Sequence, residues 1–414
     1  MRKLALIMVC LSLLLTGCWD YKEVDRLASV VAIGIDRIPG SETIFLTAQI
    51  ASSENKGGSQ ETTKRQSGGQ AYTVMNSEGK SLFEALRNLN TQSTRRILIS
   101  HCKLIVMGKV LAEMGIGEIL DDLKRDREFR RTDWILTTDK TAKEILNKDI
   151  ALEQVPATGV DLILQNLSEM GRVLPMNCND FFVQLNCESQ VSFTPLAQLE
   201  DIDNQATSQL EKAVGRPLDS EGKPKTLTIE KTAVFKNLKM VGVLNDDDSR
   251  AQRWLVDSPK GGWITLTYAP QVQTKGNKGE ISLEIIDGKT TIAPQITEDG
   301  IMMKIVCTAK ASLHDIGATG VSVLDPQVVD QLQLQAAETM KHQIEHTINT
   351  AQELNSDCVN FAENLHNYYP AEWKQIKNNW DNIFPTVNYQ ISCEIKILST
   401  GMITDPTPRS EPEE

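Results

Sequence analysis

Residues 95–126 read RRILISHCKLIVMGKVLAEMGIGEILDDLKRD, an apolar run followed by a segment with helical spacing. The run that ends at Met107 is typical of a buried strand. The segment after Gly108 repeats apolar residues three and four positions apart, which predicts an amphipathic helix. A strand followed by a helix is the repeating unit of a sheet that helices cover. This stretch therefore predicts an α/β unit.

Strands and helices alternate on both sides of this stretch. A hairpin is predicted in LASVVAIGIDRIPGSETIFLTAQI (27–50), with its turn at Pro39-Gly40-Ser41. Ser81 and Glu84 have the spacing of a helix capping box. The remaining predicted segments are the strand AYTVM (71–75), the helix SLFEALRNLN (81–90), the strand RTDWILTT (131–138) and the helix TAKEIL (141–146).

The later part of the chain has a different pattern. Strand-like runs return after residue 225, and Asp325-Pro326 can cap a long helix with one apolar face. We predict a mixed α+β fold of three domains whose mixed sheets are covered by helices. The predicted divisions are an N-terminal α/β domain (18–150), a smaller domain with a linker at 219–225 (151–225), a C-terminal domain with strands and then long helices (226–404) and a disordered tail (405–414).

The N-terminus has the pattern of a bacterial lipoprotein signal. The apolar run 4–15 is too short for a bilayer span, which takes roughly 20 residues, but it suits a secretory signal. Leu15-Thr16-Gly17-Cys18 resembles a lipobox, although an ordinary secretory signal that contains a cysteine is the alternative. We predict a signal peptide over 1–17, cleavage between Gly17 and Cys18, and a covalent diacylglycerol and acyl lipid on Cys18.

Charge and cysteine usage exclude several classes of function. Without residues 1–17 the chain carries 41 basic and 55 acidic side chains, a net charge of −14 (41 minus 55). Such a field repels nucleic acid. No CxxC motif occurs, so zinc and redox motifs have no support. Six cysteines remain beyond Cys10 and Cys18, and we expect no essential disulfide among them.

Three polar clusters resemble functional sites, and each departs from its template. His342 and His346 are four residues apart, but the order HQIEH is not HExxH, which favours surface or packing roles. NDDDS (245–249) does not fit an EF-hand, which favours a solvated turn. No partner carboxylate can be assigned to His101 and Lys103, which favours a structural histidine. We predict no catalytic, metal or cofactor-binding residue and no enzymatic activity.

Four stretches resemble the spore germination receptor C subunits, the Ger(x)C lipoproteins. Together they span almost the whole chain after the signal, in the order that the family has. The family often shows an aspartate-aromatic-glycine run near the closing helices, whereas Asp357 is followed here by CVNFAEN, with Asn360 and Ala362 where smaller or glycine-like turn residues are expected. The stretches start with GCWDYKEVDRLASVVAIGID (17–36), SHCKLIVMGKVLAEMGIG (100–117), AVFKNLKMVGVLNDDDSR (233–250) and DCVNFAENLHNYYPAEWK (357–374).

The resemblance implies the C subunit of a nutrient-responsive receptor in the inner membrane of the dormant spore. It implies two integral membrane partners, one of them similar to transporters, and a C subunit on the outer face without enzymatic activity. The LASVVAIGID hairpin near the anchor is the predicted packing contact with them. The alternatives are a solute-binding lipoprotein of a transporter, which the two unlike halves disfavour, and an envelope hydrolase, for which no nucleophile or metal set can be assembled.

Overall fold

A computed structural model describes residues 26–52, 71–148, 153–201, 225–257, 261–268, 279–298, 300–316 and 325–399. Cys18, the predicted signal peptide, the predicted tail and residues 219–224 of the predicted linker lie outside these ranges. The strands are β1 (Leu27–Arg37), β2 (Ile44–Ala51), β3 (Tyr72–Gly79), β4 (Arg96–Leu98), β5 (Leu104–Met107), β6 (Trp134–Thr138), β7 (Val191–Asp201), β8 (Lys225–Lys236), β9 (Lys239–Leu244), β10 (Trp263–Tyr268), β11 (Gly279–Thr297), β12 (Gly300–Ile316) and β13 (Asn388–Ser399).

The helices vary from single turns to one of 28 residues. They are α1 (Leu82–Gln92), α2 (Lys109–Met114), α3 (Gly117–Arg125), α4 (Ala142–Leu146), α5 (Pro156–Met170), α6 (Cys178–Leu185), α7 (Asp246–Val256), α8 (Pro326–Glu353), α9 (Phe361–Tyr368), α10 (Pro370–Ile376) and α11 (Trp380–Ile383). Short 3-10 turns follow α10 and α11. No helix in the described part of the chain is both long and apolar enough to cross a membrane.

The first sheet has a parallel centre and antiparallel sides. β1, β5, β6 and β7 lie side by side in parallel, β2 and β3 extend the sheet beyond β1, and β8 and β9 extend it beyond β7. Parallel central strands need cover on both faces. α4 and α5 pack on one face of the central strands, and α1, α2, α3 and α6 contribute to the core on the other. The hairpin predicted at Pro39-Gly40-Ser41 is confirmed.

The second sheet contains the strands of the later part of the chain. β10, β11 and β12 run antiparallel in sequence order, and β13 closes the sheet parallel to β12. α8 packs against β13, and its buried residues repeat at helical spacing from Leu332 to Ala351. The Asp325 carboxylate caps this helix by accepting the backbone N–H of Gln327 at 2.9 Å. Two mixed sheets covered by helices confirm the predicted mixed α+β class.

The segment over 95–126 contains more and shorter elements than its sequence predicts. The expected single strand is two short strands, β4 and β5, and the expected single helix is two helices, α2 and α3. Gly115 separates the helices with a φ of +128°, a conformation that L-residues with a side chain rarely adopt. The first sheet also continues from β7 through β8 and β9, across the predicted boundary at 225. The division into three domains therefore stays a prediction.

Candidate functional site: a groove and a polar junction

A surface groove lies between α1, α3 and the loop after α3. Its cavity volume is about 500 Å³, within the range of about 300–1,000 Å³ that is usual for ligand pockets. Phe83 of α1 is 52% exposed beside it. The lining residues are Leu82, Phe83, Leu86, Arg87, Asp122, Arg125, Asp126, Arg127, Glu128 and Phe129. The groove thus combines two phenylalanine rings with side chains of both charges.

The charges of the groove are only partly neutralised within the chain. The guanidinium of Arg87 stacks 4.9 Å from the centre of the Phe83 ring. Arg125 donates to Asp121 at 2.7 Å, and this hydrogen bond lowers the pKa of Asp121. Within the described ranges, Asp122 and Arg127 form no ion pair. The groove is therefore suited to a surface that offers an apolar side chain and complementary charges.

One end of the groove lies next to the start of β1. Glu128 accepts the backbone N–H of Ile99 at 3.4 Å. Ile99 directly follows β4, and β4 pairs with the first residues of β1, Leu27 to Ser29. The chain therefore enters the first sheet beside this end of the groove.

A polar junction joins the first sheet region to the C-terminal helices. Asp248 of α7 is buried, and its carboxylate is 2.6 Å from Nδ1 of His346 on α8. Thr347 donates to the same carboxylate at 3.0 Å. The hydrogen bond with Asp248 raises the pKa of His346. These contacts satisfy a carboxylate that would otherwise be buried without partners.

Glu188 forms a second link in this junction. It lies in the turn between α6 and β7, and it accepts from the indole nitrogen of Trp373 at 2.8 Å. His366 approaches the same carboxylate at 3.1 Å. In return, the backbone N–H of Glu188 donates to Glu363 at 2.5 Å. The first sheet region and the helices α9 and α10 are therefore tied by three hydrogen-bonding pairs.

Asp357 holds the turn between α8 and α9. Its carboxylate accepts the backbone N–H groups of Phe361 at 3.0 Å and Ala362 at 2.7 Å, and the indole N–H of Trp380 at 3.2 Å. Burial raises its pKa to about 6. Asn360 adopts the left-handed conformation with φ of +63°, which asparagine tolerates.

Lys103 has a carboxylate partner in the structure that the sequence did not indicate. Lys103 donates to Asp161 of α5 at 2.8 Å, and Asp161 also accepts from Trp134 at 2.9 Å and Gln165 at 2.8 Å. Burial opposes ionisation of Asp161, but these hydrogen bonds outweigh it and lower its pKa. His101 is exposed and takes no part. The cluster attaches α5 to β5 and β6, which is a structural role.

Two sequence expectations are wrong. NDDDS is not a solvated turn, because Asn245 caps α7 and Asp248 is 2% exposed. The LASVVAIGID segment is not a docking surface, because it forms β1, an internal strand whose Ile33 and Ile35 are fully buried. The predicted surface or packing role holds for both histidines: His342 is 68% exposed beside Glu345, and His346 is 66% exposed and packs against Asp248. In the described part of the chain, no three potential metal ligands cluster.

Sequence reasoning also missed the groove. Leu82, Ala85, Leu86 and Leu89 form the buried face of α1, and Phe83 lies beside that face. A large apolar residue off the core face of an amphipathic helix is the signal that could have indicated it.

Known families and proteins match most of the chain. The family described as "Spore germination protein N-terminal domain" matches residues 20–199, and "Spore germination B3/ GerAC like, C-terminal" matches residues 230–401. Spore germination protein KC of Bacillus subtilis is 26% identical over 97% of both chains. Spore germination protein B3 of the same organism is 21% identical over 96% of this chain and 97% of its own.

The fold agrees with a solved structure. The crystal structure of the GerBC protein superposes with a TM-score of 0.53, covering 88% of this chain and 96% of its own at 18% identity. The chain belongs to the Ger(x)C family of spore germination receptor C subunits. Members of this family are non-enzymatic receptor components, which agrees with the prediction of no enzymatic activity.

Proposed function

We propose that this chain is the lipid-anchored C subunit of a nutrient-responsive receptor and assembles with two integral membrane subunits, one of them transporter-like. The supporting observation is the match of both family domains, in order, over residues 20–199 and 230–401. The receptor lies in the inner membrane of the dormant spore, with this chain on the outer face. Nutrient binding to the complex then triggers exit from dormancy.

The anchor is Cys18, which lies outside the described residues. Eight residues lead from Cys18 to Arg26, and a chain spans at most about 3.5 Å per residue. The start of β1 therefore stays within roughly 30 Å of the lipid. Confinement to the membrane surface raises the effective concentration of the partners, so modest contacts are enough for assembly.

We assign the groove between α1 and α3 as the surface that contacts an extracytoplasmic segment of a membrane subunit. One end of the groove lies beside the start of β1, where the tether enters the fold. Phe83 and Arg87 are exposed there, and Asp122 and Arg127 offer opposite charges. The fitting partner is a segment with one apolar anchor side chain flanked by both charges.

Replacing Cys18 tests the anchor. In cells that express Cys18→Ala, metabolic labelling with a radioactive fatty acid should be lost, the protein should leave the membrane fraction, and germination should slow. Cys10→Ala is the matched control, because Cys10 lies within the predicted signal peptide and is removed with it. Full membrane retention of a processed Cys18→Ala protein contradicts the anchor, whereas retained labelling of Cys10→Ala supports it.

A further inference from the structure

Cys307 of β12 and Cys393 of β13 stand opposite each other on neighbouring parallel strands. The register aligns them directly, between the pairs Ile305–Ile391 and Ala309–Ile395. Neighbouring strands run about 4.8 Å apart, and a disulfide needs a Cα separation of about 4.4–6.8 Å. The register therefore brings the Cα atoms of the two cysteines to a separation that suits a disulfide.

The two side chains also interact directly. Cys307 is fully buried, whereas Cys393 is partly exposed. The thiol of Cys393 donates a hydrogen bond to the sulfur of Cys307, which lowers the pKa of Cys307 and raises that of Cys393. Thr290 donates a second hydrogen bond to the Cys307 sulfur at 3.4 Å. Cys307 is thus the thiol of the pair that more readily becomes a thiolate.

The other described cysteines lack this arrangement. Cys102, Cys178 and Cys358 are buried, and burial raises the pKa of each thiol. Cys187 is partly exposed, and burial together with Glu363 raises its pKa to about 11. In the registers of the described strands, Cys307 and Cys393 are the aligned cysteine pair. The chain therefore provides its own unpaired thiols as internal controls.

We propose that Cys307 and Cys393 form a disulfide in the mature protein, which ties the closing strand β13 to β12. The supply of oxidant rests on the extracytoplasmic location under the proposed function, because disulfides form and persist outside the reducing cytosol. The bond closes a loop that contains all four helices α8 to α11. Such a bond removes conformational freedom from the unfolded chain.

The oxidant is a small-molecule disulfide or the disulfide of a thiol oxidoreductase. Cys307 is fully buried, so the oxidant reaches the partly exposed Cys393 first, even though the hydrogen bond between the thiols disfavours the Cys393 thiolate and slows this step. Cys393 loses its proton and attacks one sulfur of that disulfide, which breaks and releases one thiol. The Cys307 thiolate then attacks the Cys393 sulfur of the mixed disulfide and releases the second thiol. The protein gives up two protons and two electrons in total, and the oxidant is reduced to two thiols.

Peptide mapping tests the pair. The purified full chain is equilibrated with oxidised and reduced glutathione, quenched with acid, denatured, alkylated with iodoacetamide without reductant, and digested. We expect one cross-linked species that joins the peptides of Cys307 and Cys393, lighter than the two thiol peptides by two hydrogen atoms. Cys102, Cys178, Cys187 and Cys358 should be alkylated.

Two variants control the assignment. In Cys393→Ser, Cys307 should become alkylated, whereas Cys187→Ser should leave the cross-link unchanged. Alkylation of both Cys307 and Cys393 in the oxidising buffer overturns the proposal. So does alkylation of both in protein extracted from cell envelopes under acid quenching. Neither readout uses the membrane subunits, so a failure here is distinguishable from a failure of the receptor assignment.

Discussion

The buried carboxylate of Asp357 accepts the indole N–H of Trp380 at 3.2 Å, which fixes α11 against the turn that ends α8. Trp380 in turn contacts Trp373 edge to face, with ring centres 5.2 Å apart. Asp357 therefore holds Trp380, and Glu188 holds Trp373. The C-terminal helices pack as one unit around these polar contacts.

This carboxylate makes folding depend on pH between about 4 and 6. Its folded pKa of about 6 is above the ordinary value of 3.8, so the folded state binds the extra proton. The contribution of Asp357 is most favourable below about pH 4 and is lost as the pH rises through 6. We expect the free energy of unfolding of the wild type, relative to Asp357→Asn, to fall by up to about 3 kcal/mol over that range.

Urea denaturation at several pH values measures this difference. Trp373→Phe is a suitable control, because it removes an indole from the same cluster without changing Asp357. That variant should keep the pH dependence of the wild type. The prediction is contradicted if the difference in free energy of unfolding between the wild type and Asp357→Asn stays constant from pH 4 to 6.

The His346–Asp248 pair makes stability depend on pH in a higher range than Asp357 does. The hydrogen bond with Asp248 raises the pKa of His346, and Glu353 and Asp247 add to it. The stabilisation by this pair is complete below the unfolded histidine value of about 6.5 and is lost as the pH rises through the folded pKa. NMR titration of His346 should therefore show a raised pKa in the wild type and a lower one in Asp248→Asn.

The neighbouring histidine provides the control for that titration. His342→Gln removes an imidazole that contacts Glu338 and Glu345 instead of Asp248. It should leave the titration of His346 unchanged. An unaltered His346 pKa in Asp248→Asn would show that the pair does not control the titration.

Variants in the groove should weaken assembly with the membrane subunits while leaving the stability of the chain almost unchanged. Phe83→Ser and Arg87→Glu change exposed side chains, so we expect changes in unfolding free energy within about 0.5 kcal/mol. Recovery of the membrane subunits with the tagged chain should fall about tenfold, since loss of an interface anchor costs over 1 kcal/mol. Leu334→Ser, which changes a 71% exposed residue of α8, is the matched control. Normal recovery with both groove variants would exclude this surface.

Gly79 positions the helix that carries half of the groove. A Cβ at Gly79 would lie 2.4 Å from the backbone nitrogen of Ala85 in α1. We expect Gly79→Ala to lower the free energy of unfolding by about 1–3 kcal/mol, because backbone atoms must move. At Gly117 the nearest neighbour is the Leu238 side chain at 3.2 Å, so Gly117→Ala should cost less. Equal effects in urea denaturation would contradict this account of Gly79.

Local patterns predicted the elements better than their long-range pairing. The Ser81 and Asp325 caps and the Pro39-Gly40-Ser41 turn depend on residues a few positions apart, and the structure has all three. The burial of Asp248 depends on His346 and Thr347, almost a hundred positions later. No local pattern contains that contact. For the same reason the extension of the first sheet by β8 and β9 was not predicted.

The most direct test of the receptor assignment is affinity purification of the chain from dormant spores. A C-terminal epitope tag is added, inner membranes are solubilised in detergent, and the recovered proteins are identified by mass spectrometry. The account predicts recovery of two integral membrane subunits, one of them transporter-like, and a loss of both with Cys18→Ala. Recovery of an ATP-driven importer instead, or absence of the chain from dormant spores, would contradict it.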